Sequence, residues 1–239
     1  MQGRDSSPLI GQLKNTVKIF GRSEDSWVTA LRRYRSSKGI KRIKVSDCVC
    51  QAKIFDHVRI RDKILFEIER DVCNETSGGD EPYNVSDRVS KLDWTKADDF
   101  NRPWVKIFLP HFKKTMNSFL AEMGYALYDL DQMWYQQYLE GDTHGWHTHG
   151  GSYTGVYYLE FPSGSSKTQL YSPFDFKKHT IKAKEGDIIF FPTHIIHRGP
   201  PNTSQKKTIV SFNFRVDFAD RAISGVKPIQ ERVDGYILE

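Results

Sequence analysis

Hydrophobic and polar positions divide the chain into a helical part and a later part of short strands. After a predicted strand at 47–57, apolar residues recur with helical spacing at 60–74. A second helix is predicted over 103–123, and Gly124 ends it. From residue 125 onward, turn signals separate short apolar or alternating runs at 125–139, 153–161, 168–171, 179–183, 187–192 and 207–216. Many short strands at this spacing predict a β-sandwich or β-barrel.

Length and composition indicate a globular protein rather than a disordered or membrane-spanning one. With 239 residues, the chain can form one full domain with an extension and bury a sizeable core. Aromatic residues make up 13% of the chain, whereas disordered chains are poor in them. The apolar runs are far too short to span a bilayer, and the N-terminus lacks the apolar segment of a signal peptide. We therefore expect a soluble, cytoplasmic protein.

The cysteines do not indicate a metal cluster or a disulfide framework. Cys48, Cys50 and Cys73 are odd in number, and no two of them have the CxxC spacing. Reduced structural thiols are therefore expected.

Positive charge is concentrated at the start of the chain. Residues 1–45 contain 11 Lys or Arg against 3 Asp or Glu, whereas the whole chain has a net charge of +5. We predict a basic N-terminal extension over 1–46 and a main domain over 47–239. Such an extension can bind nucleic acid or an acidic partner, or it can be a solvated arm.

Five of the eight histidines lie in two short clusters: His144, His147 and His149, then His194 and His197. His147 and His149 are two residues apart, so in a strand they point to the same face and can bind one metal ion. His197 follows 48 residues after His149, enough chain for a β-sandwich to return it to the opposite side. Three protein ligands on one side of Fe(II) leave three open positions, as oxygen activation requires. A pair of ordinary hydrogen-bonded histidines is the alternative interpretation.

Four separated motifs resemble those of the 2-oxoglutarate/Fe(II) oxygenases and occur in the same order. Segment 136–149 (QQYLEGDTHGWHTH) resembles the first half of the iron site, although most of the superfamily has Asp or Glu at the position of His149. Runs 153–159 (YTGVYYL), 186–197 (GDIIFFPTHIIH) and 207–213 (KTIVSFN) are similar to a group of bacterial and phage members that also carry a His-x-His pair. The resemblance covers about residues 125–216.

This resemblance implies positions for the metal and for the co-substrate. His147, His149 and His197 are expected to bind Fe(II), with His149 in the position of the usual acid. Lys207 stands where the group has Arg and is expected to pair with the remote carboxylate of 2-oxoglutarate, with Arg215 as the alternative. The other residues expected to bind the co-substrate are Gln136, Tyr138, Ser211 and Asn213. On a regular strand the last two share a face with Lys207.

Several residue assignments stay open at the level of sequence. His149 is either a direct ligand or a neighbour of the metal, and Asp142 or Asp175 could complete the ligand set instead. His144 either lines the mouth of the pocket or lies in a solvated loop, while His194 is expected to be structural. The aromatic residues that could line the cavity, or simply fill the core, are Trp134, Trp146 and Tyr157.

The resemblance also implies a fold and a reaction. The fold would be mainly β with flanking helices (α+β), with a double-stranded β-helix (jelly-roll, cupin-like) core over about 125–218 and helical support from 47–124. The reaction would be that of a hydroxylase-type dioxygenase, which uses Fe(II), 2-oxoglutarate and O2 and releases succinate and CO2. The substrate could be a protein side chain, a nucleic acid or a small molecule. The alternatives are a jelly-roll module that binds a metal or ligand without turnover, and a three-histidine dioxygenase without co-substrate.

Overall fold

A computed structural model describes residues 49–71, 75–77, 87–172 and 177–218, with only the backbone for 75–77. The predicted basic extension at 1–46 lies outside this part of the chain, as do Cys48, Cys73 and Asp175. The Sγ atom of Cys50 lies 3.5 Å from the Sδ atom of Met123.

The first helix, α1 (His57–Arg70), follows the predicted apolar spacing. Its buried stripe consists of Ile60, Ile64 and Ile68. The predicted end at residue 74 is wrong, because Asp71 takes an extended backbone conformation and its N–H donates back to the carbonyl groups of the last turn. Helix α1 therefore ends where its apolar stripe ends.

The second helix, α2 (Pro103–Met123), has the predicted bounds. A proline in its first turn needs no backbone partner, and Gly124 closes the helix with a φ of 73°, in the left-handed region that favours glycine. Its buried side includes Trp104, Phe108 and Phe112. Within the described residues, neither α1 nor α2 has the length and hydropathy of a membrane-spanning segment.

The described strands form two antiparallel sheets. They are β1 (Cys50–Lys53), β2 (Glu75–Ser77), β3 (Val89–Leu92), β4 (Tyr125–Leu139), β5 (His144–His147), β6 (Tyr153–Glu160), β7 (Gln169–Ser172), β8 (Lys177–Thr180), β9 (Asp187–Pro192), β10 (Ile196–Gly199) and β11 (Lys206–Phe218). The major sheet has the order β1-β9-β6-β11-β4-β3-β2, and the minor sheet has the order β5-β10-β7-β8. Two such sheets packed face to face form a jelly roll.

Most predicted runs correspond to strands, and the differences have physical causes. β4 and β9 have the predicted bounds, while β6, β7 and β11 differ by one or two residues at an end. The run at 179–183 is displaced from β8, because Ile181 and Ala183 pack in the interior from a segment outside the sheet. The predicted strand at 47–57 shortens to β1, and the short strands β2, β3, β5 and β10 were not among the predicted runs.

The major sheet separates two hydrophobic cores. On one face, α1 and α2 pack against a cluster rich in aromatic side chains, in which Phe119 of α2 stacks on Phe190 with ring centres 4.7 Å apart. On the other face, Ile189 and Ile209 pack in a smaller cluster with Leu170 of the minor sheet. Buried polar side chains lie beside this smaller cluster, among them Gln136, Ser211 and Asn213.

A buried ion pair fixes the segment before α2. Asp93 precedes a short 3₁₀ turn (Trp94–Lys96) and accepts the backbone N–H of Tyr135 at 2.8 Å and the indole N–H of Trp104 at 3.0 Å. The same carboxylate pairs with the buried guanidinium of Arg102. Removal of one partner of a buried pair leaves an uncompensated charge. The network ties the start of α2 to β4, the strand that carries part of the candidate site.

Candidate metal centre

Three histidines converge where β5 and β10 meet. His147 ends β5, His197 lies in β10, and the two are direct cross-strand partners. His149 lies just beyond β5, where its N–H donates to the carbonyl of Thr193 at 3.2 Å. One ring nitrogen from each histidine lies within 4.8 Å of the other two. Three imidazoles at these distances could hold one metal ion.

Backbone carbonyl groups set the tautomer of two of these histidines. Nδ1 of His147 lies 2.7 Å from the carbonyl oxygen of Gly145, and Nδ1 of His197 lies 2.9 Å from that of Ile195. A ring nitrogen that donates to a carbonyl leaves the other nitrogen, Nε2, with a lone pair for a metal. The Nε2 atoms of His149 and His197 are 3.2 Å apart, close enough for both to bind one ion when each carries a lone pair.

Burial keeps these imidazoles neutral. Loss of hydration lowers the pKa of His147, brings the pKa of His149 to about 3, and holds the pKa of His197 well below its usual value. The neighbouring imidazoles lower the pKa of His149 and His197 further. Histidine binds a metal in its neutral form, so protons compete little with a cation here at neutral pH.

A fourth histidine, His144, lies against this cluster. It is the first residue of β5, its side chain is 22% exposed, and its Nε2 lies 3.1 Å from Nε2 of His147. Its Nδ1 lies 3.3 Å from Oδ2 of the buried Asp87, whose Oδ1 accepts the N–H of Gly145 at 2.6 Å. The solvated-loop alternative for His144 is therefore wrong. Asp87 is a site neighbour that no motif or spacing indicated.

Asp142, one of the two acids considered as substitute ligands, is not part of the histidine cluster. Asp142 is buried, but its Oδ2 accepts the N–H groups of Ser90 at 3.1 Å and Leu139 at 2.9 Å, while its Oδ1 lies 3.3 Å from Nε of Arg88. Its oxygens therefore stabilise the turn after β4. The alternative in which Asp142 completes the ligand set is wrong. Asp175 lies outside the described residues.

A buried lysine lies on the inner face of the major sheet. Lys207 is 3% exposed, and its ammonium group donates to the carbonyl of Ser166 at 3.0 Å. Loss of hydration lowers the pKa of Lys207 to about 8. No carboxylate in the described part of the chain pairs with it, so it is suited to an anionic ligand. Arg215 as the alternative cation is wrong, because it is 58% exposed and pairs with two aspartates at the surface.

Tyr138 connects the lysine to the histidines. It is the cross-strand partner of Lys207, whose Nζ lies 4.5 Å from the centre of the Tyr138 ring. A Cβ atom at Gly199 of β10 would lie 3.6 Å from the Tyr138 hydroxyl and 3.7 Å from Cβ of His144. The phenol therefore reaches from Lys207 to the edge of the histidine cluster, and the lack of a side chain at Gly199 leaves room between them.

The other predicted co-substrate residues lie on the same face as Lys207. The hydroxyl of Ser211 donates to Oε1 of Gln136 at 3.1 Å, and the amide of Asn213 donates to Oε1 of Gln132 at 3.0 Å. Oδ1 of Asn213 is buried and has no hydrogen-bond partner within the described residues. Buried acceptors are usually satisfied, so this oxygen is available to a donor from a bound molecule or water.

Of the three aromatic residues considered for the lining of the cavity, Trp134 lies beside the histidines. Its ring centre lies 5.9 Å from that of His149, and it packs edge-on against Trp94 with ring centres 4.4 Å apart. Tyr157 instead faces the helices, where it stacks on an aromatic ring of α2. Tyr157 therefore fills the core, which was the alternative interpretation. Trp146 packs against Tyr171, with ring centres 6.2 Å apart, and against the guanidinium group of Arg198. Trp146 alternates along β5 with His147, so the two side chains point to opposite faces.

Comparison with known proteins adds information on the fold. No family model and no curated protein matches the sequence of this chain. A solved oxidoreductase of the 2OG-Fe(II) oxygenase family from Burkholderia pseudomallei has a TM-score of 0.55 and 11% identity, covering 82% of this chain and 92% of that chain. A Pseudomonas putida prolyl-4-hydroxylase has a TM-score of 0.53 and 13% identity, covering 71% and 94%. A Trichoplax adhaerens prolyl hydroxylase, in complex with a hypoxia inducible factor oxygen degradation domain peptide fragment, has a TM-score of 0.53 and 14% identity, covering 92% and 97%.

These similarities define the class of fold. At such low identity a structural match supports the architecture and not the reaction of each neighbour. The chain has the double-stranded β-helix fold of the 2-oxoglutarate/Fe(II) oxygenases, with two sheets and flanking helices. This confirms the α+β jelly-roll fold that the motif resemblance implied.

Proposed function

We propose that this protein is an Fe(II)- and 2-oxoglutarate-dependent oxygenase that hydroxylates or oxidatively demethylates its substrate. The observation that carries the proposal is a combination on the inner side of the jelly roll. Three neutral imidazoles converge there, and Tyr138 connects them to Lys207, a buried cation with no carboxylate partner among the described residues. A site needs both features if a dianion is to chelate the metal at one end and pair with a fixed ammonium group at the other.

The donor set fits Fe(II). Imidazole suits this ion, and His147, His149 and His197 would hold it on one side. Because neutral imidazole supplies no negative charge, the ion would keep its full charge toward an anionic co-substrate. Bound Fe(II) would supply the activation of O2 in which one oxygen atom enters the substrate and the other enters succinate, with release of CO2.

The polar inner face would orient 2-oxoglutarate. The ammonium group of Lys207 would exchange its contact with the Ser166 carbonyl for the remote carboxylate, a stronger charge-assisted interaction. Burial raises the pKa of Tyr138, so its hydroxyl stays protonated and can donate a hydrogen bond. Gln136, Ser211 and Asn213 would supply the remaining polar contacts from the same face.

The substrate would approach beside His149. Trp134 lies next to this histidine, and Trp94, which is 40% exposed, continues the aromatic surface outward. Aromatic rings bind apolar or planar groups, so the same surface suits a protein side chain, a nucleobase or a small molecule. A contribution of the basic segment 1–46 to nucleic-acid binding is a further part of this proposal.

The test is a titration of 2-oxoglutarate into the anaerobic Fe(II)-loaded protein, monitored by the visible charge-transfer band of the chelate. We expect the band in the unaltered protein. In Lys207→Ala the required concentration should rise about tenfold to hundredfold, since a hydrogen bond to a charged group is lost. Lys206→Ala is the matched control, because Lys206 pairs with Glu69 and Glu160 at the surface, and it should titrate normally.

Two other outcomes would replace this proposal. Iron binding without a chelate band would indicate a jelly-roll module that binds metal without this co-substrate. Consumption of O2 that needs no 2-oxoglutarate and persists in Lys207→Ala would indicate a three-histidine dioxygenase. The three-histidine dioxygenase is tested because His149 stands where most of the superfamily has an acid.

A further inference from the structure

His144 carries an observation that the proposed three-histidine site does not use. Its Nδ1 lies 3.3 Å from a carboxylate oxygen of Asp87, and its Nε2 lies 3.1 Å from Nε2 of His147. Nδ1 of His147 also faces an acceptor, the carbonyl of Gly145, at 2.7 Å. Neither neutral tautomer of His144 suits both contacts. A hydrogen on Nδ1 leaves the Nε2 lone pair facing that of His147, whereas a hydrogen on Nε2 leaves the Nδ1 lone pair facing the Asp87 carboxylate. Nδ1 of His144 is buried and has no hydrogen-bond partner within the described residues. A cation next to the two Nε2 atoms would remove this conflict.

The separation of the two nitrogens is that of neighbouring ligands on one ion. With metal–nitrogen bonds of about 2.1 Å, two ligands at right angles are about 3.0 Å apart. The contact between His144 and His147 matches this edge at 3.1 Å, and that between His149 and His197 matches it at 3.2 Å. His144 is not part of the set of three whose nitrogens all fall within 4.8 Å, so its side chain would have to rotate to reach the ion next to His147.

Asp87 gives the second, independent observation. It is a buried carboxylate whose only ion-pair partner in the described part of the chain is His144. A buried carboxylate is costly unless positive charge balances it. A carboxylate behind a histidine is also the usual support of a metal-bound imidazole, which it orients and makes a better donor. A cation bound by His144 would therefore balance Asp87 through the ring.

We propose that His144 is a fourth imidazole ligand of the resting metal centre and that 2-oxoglutarate displaces it; this inference rests on the metal site of the proposed function. Four imidazoles and a chelating co-substrate would together fill six positions, which leaves none for O2. The dianion also supplies negative charge, which weakens the bond between the ion and a neutral imidazole, so His144 would leave as 2-oxoglutarate binds. On release its Nδ1 keeps the contact with Asp87, and no proton or electron has to move. His144 would thus keep the position for O2 closed until the co-substrate arrives.

The experiment uses the full chain loaded with Co(II), whose X-ray absorption reports the number of bound imidazoles without turnover. We expect four imidazoles in the resting protein and three after addition of 2-oxoglutarate. His144→Gln should show three in both states, with Co(II) affinity reduced about tenfold to hundredfold. Its affinity for 2-oxoglutarate should rise several-fold, because no ligand has to be displaced. Opposite effects on the two affinities are not expected from a damaged fold.

His194→Gln is the matched control. His194 stands three residues before His197, as His144 stands three residues before His147, but it lies exposed in a turn. The His194→Gln variant should have unchanged affinities for Co(II) and for 2-oxoglutarate. Three imidazoles in the resting unaltered protein would overturn the fourth ligand, and four that persist with 2-oxoglutarate bound would overturn its displacement. The number of imidazoles bound to Co(II) before 2-oxoglutarate is added tests His144 by itself. Failure of 2-oxoglutarate to bind and failure of His144 to act as a ligand are therefore separate results.

Discussion

The two faces of β11 are both buried, yet their side chains differ in chemistry. Toward the helices, Phe212 and Phe214 are fully enclosed among aromatic rings. Toward the minor sheet, Lys207, Ser211 and Asn213 are almost as inaccessible, but they carry an ammonium group, a hydroxyl and an amide. Burial alone therefore does not separate a core from a site. The two faces differ in whether binding capacity remains: Oδ1 of Asn213 has no hydrogen-bond partner and Lys207 has no carboxylate partner among the described residues. The alternation of side chains along the strand keeps the core and the candidate site on opposite faces.

The largest expected effect is loss of the metal site without loss of the fold. His197→Ala removes one of the converging imidazoles, so iron content and turnover should fall to background while the unfolding of the metal-free protein changes little. Iron measured by elemental analysis and metal-free thermal unfolding check this. His179→Ala, in the exposed strand β8, is the control. Turnover that persists in His197→Ala would remove the metal assignment.

A substitution on the helix-facing side of β11 should have the opposite result, a loss of stability without a loss of binding. Phe212→Ala should lower the free energy of unfolding by about 3–5 kcal/mol, because a large aromatic side chain leaves a cavity. The affinity of the remaining folded protein for 2-oxoglutarate should be unchanged. Urea unfolding and the chelate titration measure the two quantities. Phe66→Ala, at an exposed position of α1, should cost less than about 0.5 kcal/mol. A large loss of affinity in Phe212→Ala would show that the faces are coupled.

The co-substrate site should depend on pH through Lys207. Burial lowers the pKa of Lys207 to about 8, so the ammonium form dominates below pH 8 and is lost as the pH rises through that value. The affinity for 2-oxoglutarate should therefore fall above pH 8, by up to about tenfold per pH unit. Lys207→Arg keeps its charge and should flatten this decline. A profile that is the same in both proteins would assign the pH dependence to another group.

The smallest expected effect comes from a single neutral hydrogen bond on the site face. Ser211→Ala removes the donor to Gln136 and should weaken 2-oxoglutarate binding about fivefold, equivalent to about 1 kcal/mol. Stability should change little. Ser163→Ala, in an exposed turn, is the control in the same titration. An effect as large as that of Lys207→Ala would mean that Ser211 does more than orient Gln136.

Local signals explain which parts of the fold were predictable. The bounds of α2 follow from a proline in its first turn and a left-handed Gly124, and both act on neighbouring residues only. β3 and β5 are four residues long and have no clear alternation, so their pairing partners decide that they are strands. The apolar run at 179–183 was misassigned because Ile181 and Ala183 pack in the interior but lie outside the strand β8.

The same distinction holds for the candidate site. The spacing of His147 and His149 and the later His197 pointed to a converging set, and the strand period placed Ser211 on the face of Lys207. The environment of His144 depends on Asp87, which is 58 residues away from the glycine that it bonds, so no spacing rule could include it. Asp142 was a reasonable acid by sequence, but the turn after β4 uses its oxygens.

The pairing of His147 with His197 has a consequence for the lifetime of the chain. Each described strand of the minor sheet has only four residues, so few backbone hydrogen bonds hold it together. An ion shared across β5 and β10 would act as a cross-link that closes a long loop and would protect the native state in proportion to its occupancy. Amide hydrogen exchange in these strands should then slow on iron loading. The supply of iron would then determine how long the protein resists proteolysis as well as its catalytic rate.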